Sequence, residues 1–167
     1  DNEIMEVVKD KLAIYNLSTA DTEAALKEKQ KVVSNMVRNV LDAVLPGSNA
    51  QLSKINNIDK LSEMEFNFSL KGGLNTADIS KNIQEFSKKF GFKNGIPNWK
   101  QIISDGFMTG FIDLIFRHNN KYYIVDWKSN RLDGTPKGFN ENGVKKEIAK
   151  HYYFLQYLIY TVALDKY

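Results

Sequence analysis

The chain has 167 residues, of which 43% are hydrophobic and 26% charged. That suffices for one soluble globular domain with its own core, and no apolar run reaches the length of about eighteen residues that a membrane span needs. It contains no cysteine, which excludes disulfides, zinc–thiolate sites and iron–sulfur clusters and fits a cytoplasmic protein.

The opening stretch DNEIMEVVKDKLAIYN lacks the basic start and apolar core of a signal peptide, and residues 1–15 read as a helix. A second helix is expected over Asp21–Leu45, with Ser18 and Asp21 near its start and Pro46-Gly47 at its end. Residues 47–61 are polar and loop-like. Met64–Leu70 alternates apolar and polar residues, the pattern of a half-buried strand, and Gly72-Gly73 ends it. Thr76 caps an expected short helix through Phe90, with Ile79, Ile83 and Phe86 on one face. A loop with Asn94-Gly95 and Pro97 follows. Thr109–Arg117 and Lys121–Trp127 read as strands. After a polar loop containing Gly134, Pro136 and Gly138, one long helix is expected over Val144–Leu164.

The net charge is +3, and its placement is uneven. Residues 121–150 hold seven Lys or Arg against four Asp or Glu, and the remainder is balanced at sixteen each. Positive charge beside carboxylates suits a phosphate substrate, and it equally describes a solvated loop and helix face.

Asn tolerates the positive φ of a tight hairpin, so Asn119-Asn120 is the expected two-residue turn between the two strands. Counting outward from it places Asp113 opposite Asp126, with Cβ atoms roughly 4.5–5.5 Å apart and on one face. Lys128 shares that face. The flanking Ile112, Leu114, Val125 and Trp127 mark the strands as buried. Two buried carboxylates this close repel each other, and a hard divalent cation resolves the repulsion. Lys128 could then orient or deprotonate a water and steady charge on a phosphate. The plainer alternative is an ordinary Asp126–Lys128 ion pair, with Asp113 capping a turn.

Three blocks carry a resemblance: Gly106-Phe-Met-Thr-Gly-Phe-Ile-Asp113-Leu, Tyr122-Tyr-Ile-Val-Asp126-Trp-Lys128-Ser-Asn130, and Leu155-Gln156-Tyr157-Leu-Ile-Tyr160. In order and spacing they closely resemble the C-terminal nuclease domain of the RecB family, the beta subunit of exodeoxyribonuclease V, within the PD-(D/E)xK nuclease superfamily. The match is tight over 104–165 and extends to the strand at Met64-Glu65-Phe66. It implies an α/β, restriction-endonuclease-like fold with a mixed sheet flanked by helices. It also implies Asp113 and Asp126 as Mg2+ ligands (Mn2+ substituting), with Lys128 as the catalytic lysine. Gln156 and Tyr160 match the family's Gln-x-x-x-Tyr motif, which contacts DNA or supports the lysine, and their i, i+4 spacing puts them on one helix face. Glu65 corresponds to a family acid near the metal, although its strand position with Asn67 and Ser69 also suits a solvent-facing side chain. The family's upstream histidine ligand has no counterpart here, since the histidines are His118 and His151.

The expected organisation is a single nuclease domain over 1–167, a fragment truncated at both ends of a larger helicase-nuclease subunit. No GxxxxGK[ST] loop is present, so no ATP site is expected in it. The expected function is magnesium-dependent hydrolysis of linear, single-stranded or unwound DNA in double-strand break repair and recombination. Lys145, Lys146 or Lys150 would hold phosphates, and companion subunits of a RecBCD-like complex would be partners. The alternative is a catalytically silent nuclease-like scaffold for DNA binding or subunit docking.

Overall fold

The structure is a computed structural model that describes residues 2–17, 22–70, 76–89, 91, 106–132 and 134–167, without the side chains of 76–79. Ser18, Asp21, Gly72-Gly73, the Asn94–Pro97 loop, and the Thr76 and Ile79 side chains therefore lie outside the described residues. The helices are α1 (Asn2–Ile14), α2 (Glu23–Asp42), α3 (Thr76–Lys89), α4 (Glu141–Lys150) and α5 (Tyr153–Asp165). The strands are β1 (Lys60–Ser69), β2 (Phe107–His118) and β3 (Lys121–Val125), in the order β1-β2-β3. The α/β class is the expected one. Among the described residues the sheet is antiparallel throughout, because Leu70 N–H donates to Gly106 C=O at one end of the β1–β2 pair and Asp59 meets Arg117 at the other.

The chain divides into two compact units. The first comprises 1–60 and the hairpin tip 116–123. In it α1 packs on α2 and buries Val8 and Leu12. Thr22 caps α2 by accepting the Ala25 N–H at 3.3 Å, and the helix ends at Asp42, ahead of the expected Pro46-Gly47 stop. The region read as loop contains two single 3-10 turns, Leu52–Lys54 and Asn57–Asp59.

At the hairpin tip Asn119 and Asn120 have φ of 50° and 57°. Positive φ at both central residues is the type I′ turn, whose twist matches that of the flanking strands. The rings of Phe116 and Tyr123, opposite each other in the register this turn sets, stack 5.0 Å apart.

The second unit comprises 61–115 and 124–167. Its core joins Met64 and Phe66 of β1, Ile112 and Ile115 of β2, and Tyr160 and Ala163 of α5. The alternation read at Met64–Leu70 is real: Met64 and Phe66 are buried, Glu65 and Asn67 exposed. Upstream of it Glu63 takes a left-handed backbone, φ 52°, and the alternation is lost. The expected single C-terminal helix is two helices. His151 closes α4, Tyr152 takes a left-handed conformation (φ 55°, ψ 31°), and α5 starts afresh at Tyr153.

Candidate active site

β3 ends at Val125, two residues short of the expected strand end, so Asp126 and Lys128 leave the ladder just as they reach the first turns of α5. The α5 face made by Tyr153, Gln156, Tyr157 and Tyr160, at i, i+3, i+4 and i+7, is turned to them.

The Asp126 side chain is 4% exposed. Its Oδ1 accepts from Gln156 Nε2 at 3.0 Å, and the Tyr160 hydroxyl lies at the outer limit of a hydrogen bond, 3.5 Å away. Gln156 Nε2 also reaches the Tyr160 hydroxyl at 2.5 Å, so the i, i+4 pair acts as one clamp. Asp126 Oδ2 is fully enclosed with no hydrogen-bond donor aligned on it, and the Lys128 ammonium lies against it as an ion pair. Burial pulls the Lys128 pKa down, but Asp126, with smaller help from Tyr160 and Tyr153, leaves it raised, so the side chain stays a cation. Burial and then Asp126 push Tyr157 up. Burial does the same to Tyr160, against the Gln156 hydrogen bond and with help from Asp126 and Asp113.

Asp113, half-buried in β2, accepts the Trp127 N–H through Oδ2 at 2.7 Å. That bond ties it to the residue following Asp126, beyond the end of β3. The plainer alternative is thus present in part, since Asp126 does pair with Lys128 and Asp113 does cap a backbone amide.

The structure therefore brings together Asp113, Asp126, Lys128, Gln156 and Tyr160. Glu65 sits exposed on β1, where its backbone C=O accepts from the Tyr167 hydroxyl at 2.8 Å. Among the described residues no group of three His, Cys, Asp or Glu assembles to hold a metal. Lys145 pairs with Glu141 at 2.6 Å and Lys150 with Glu147 at 3.7 Å. Lys146 lines a separate cleft with Arg131.

Two residues that the sequence did not single out support the lysine. Lys128 Nζ lies 4.9 Å from the centre of the Tyr153 ring, a cation–π contact. The Tyr153 hydroxyl donates to Asn130 Oδ1 at 3.0 Å, and Asn130 Nδ2 donates to Glu147 Oε1 at 3.1 Å. Asn130 ends the Asp-Trp-Lys-Ser-Asn string, and that adjacency was its only signal.

The donor set fits a hard divalent cation in kind. Asp113 and Asp126 offer carboxylate oxygens, and Asp126 Oδ2 is a buried acceptor with no aligned donor. Mg2+ characteristically binds through one or two carboxylates and keeps several waters, so two protein ligands do not disqualify the site.

No protein-family model matches the chain. Known proteins do. The RecBCD enzyme subunit RecB of Buchnera aphidicola (subsp. Acyrthosiphon pisum) is 34% identical over 131 residues, 78% of this chain. RecB of Escherichia coli K12 is 31% identical over 138 residues, and RecB of Borreliella burgdorferi 34% identical over 140, each covering 83% of this chain. The chain is accordingly RecB-like, matching one segment of that subunit that spans about 11% of the length of these relatives.

Proposed function

We propose that this chain is a magnesium-dependent nuclease segment that hydrolyses phosphodiester bonds of linear DNA in a RecBCD-like helicase-nuclease acting in double-strand break repair and recombination. One observation carries the reading. A carboxylate that is 4% exposed is clamped through one oxygen by Gln156, while its other oxygen faces only a lysine, beside a second carboxylate on the next strand. Burying such a group costs free energy, and apolar side chains of similar volume would often pack a scaffold as well.

In this reading Asp113 and Asp126 would hold Mg2+, with Mn2+ as a substitute. The ion would supply charge neutralisation at the scissile phosphate and acidify an attacking water. Lys128, steadied by Asp126 and the Tyr153 ring, places a positive charge where negative charge develops on the phosphate. Gln156, backed by Tyr160, holds the Asp126 carboxylate through Oδ1, so that Oδ2, which faces Lys128, keeps one direction. None of these groups reads a base edge, so little sequence preference is expected. The likeness to RecB supports DNA as substrate and other subunits of such a complex as partners. Among the described residues no helix is long and apolar enough to cross a membrane.

The second reading, a silent scaffold, is favoured by the satisfied Asp126–Lys128 pair and by the Asp113–Trp127 bond. Manganese binding followed by electron paramagnetic resonance separates the two. Asp113→Ala and Asp126→Ala are expected to lose the bound ion. Lys128→Met is expected to keep it or tighten it, because the ammonium competes for Asp126 Oδ2. Manganese binding that is absent, or unchanged by both aspartate substitutions, rules out the metal site.

A further inference from the structure

A cleft of about 520 Å³ opens beside the first turns of α4, and Arg131, Lys146 and Lys150 line it together with Glu147, Asn140 and Asn142. Three cations face one carboxylate, and that carboxylate is already engaged. Glu147 Oε1 takes Asn130 Nδ2 at 3.1 Å and His151 Nε2 at 2.9 Å, with the Lys150 ammonium 3.7 Å away. Among the described residues no acid pairs with Arg131 or Lys146, and both are exposed. The positive end of α4 adds to the same field. Asn140 caps the helix by accepting the Gly143 N–H at 3.0 Å, and Asn142 and Gly143, in its first turn, line the cleft.

We propose that this cleft is a phosphate subsite that holds the sugar–phosphate backbone of a single strand next to the reacting bond. The choice of ligand rests on the nuclease reading. The structure connects the cleft to the reactive end through contacts already described. Glu147 holds Asn130, Asn130 holds the Tyr153 hydroxyl, and the Tyr153 ring carries Lys128. A strand with one phosphate at Lys128 has further phosphates along its length, and this cleft, joined to Lys128 by that chain of contacts, carries cations to receive them. Arginine suits the task through its forked donors, and Lys146 through its mobile point charge. Asn140 and Asn142 add neutral polar groups that fit sugar and phosphate oxygens and discriminate no base.

The test is binding of a labelled twelve-nucleotide oligothymidylate in EDTA, so that it does not depend on hydrolysis. The protein is the full 167-residue chain. Arg131→Ala/Lys146→Ala is expected to bind about tenfold more weakly. Its dependence on salt should be shallower by about 1.4 in log–log slope, the share of two phosphate contacts on a single strand. Lys27→Ala/Lys31→Ala removes the same charge from the exposed side of α2 and is expected to bind as the unaltered chain does. Inorganic phosphate, added at constant ionic strength, is expected to displace the oligonucleotide from neither chain.

The subsite is overturned if the cleft variant binds with unchanged affinity and slope, if the α2 variant weakens equally, or if the unaltered chain does not bind the oligonucleotide. Binding of inorganic phosphate by the unaltered chain but not by the cleft variant, with equal oligonucleotide binding by both, would mean that the cleft takes free phosphate instead of a strand. Because hydrolysis plays no part, a cleft effect without nuclease activity would leave the subsite standing and remove the enzyme. Activity with no cleft effect would do the reverse.

Discussion

Asp126 is the most constrained side chain of the site, and the consequences differ for its two supports. Gln156 donates to Oδ1 at 3.0 Å, whereas the Tyr160 hydroxyl stands off at 3.5 Å. Gln156→Leu leaves a buried carboxylate oxygen short of its donor, which costs on the order of 1–3 kcal/mol of stability. Loss of such an orienting partner lowers metal affinity or activity by roughly 10–100-fold. Tyr160→Phe keeps the ring packed edge-on against Phe66 and is expected to change manganese affinity less than threefold. A Tyr160→Phe variant as damaged as Gln156→Leu would show that the hydroxyl, not the amide, holds the aspartate. Much of this was legible in the sequence: the Asp-x-Lys triplet, the opposed aspartates and the i, i+4 Gln–Tyr pair each have a fixed geometry. Tyr153 did not show. It stands in Tyr152-Tyr153-Phe154-Leu155, where an aromatic reads as core, and only a helix beginning at Tyr153 turns its ring under Lys128.

At the scale of elements the hairpin and the helix pair make opposite lessons. Asn119-Asn120 announced its turn because Asn adopts positive φ at little cost, and the register of Asp113 and Asp126 followed from it. The break between α4 and α5 has no such signal. It uses Tyr152 at φ 55°, a conformation that bulky residues rarely take, inside a run that otherwise continues as a helix. The β1–β2 pair depends on Gly110 in a way the sequence also left silent. A Cβ there would stand 2.6 Å from Cζ of Phe66, whose ring lies over the glycine. Gly110→Ala therefore overpacks the core, and a loss of about 1–3 kcal/mol is expected in thermal or urea unfolding. Unchanged stability would mean that the Phe66 ring moves aside without cost. Because Phe66 also packs on Tyr160, the same substitution is expected to weaken manganese binding.

For the whole molecule, the basic excess of residues 121–150 resolves into parts that the sequence had pooled. Lys145 and Lys150 pair with glutamates on their own helix, and Arg131 and Lys146 supply the spare charge of the cleft. The division into two units was not legible, since no linker-like composition marks it and the hairpin tip joins the first unit across a long sequence gap. The second unit holds the aspartates, the lysine and the clamp helix together, so the chemistry is expected to belong to that unit. The most direct test of that chemistry is degradation of linear single-stranded DNA with Mg2+ by this chain beside its Asp126→Ala counterpart. Hydrolysis by the unaltered chain is expected, abolished by EDTA and by the substitution, with DNA binding retained in both. Equal hydrolysis by the two chains, or DNA bound and left intact by the unaltered chain at saturating Mg2+, would contradict it.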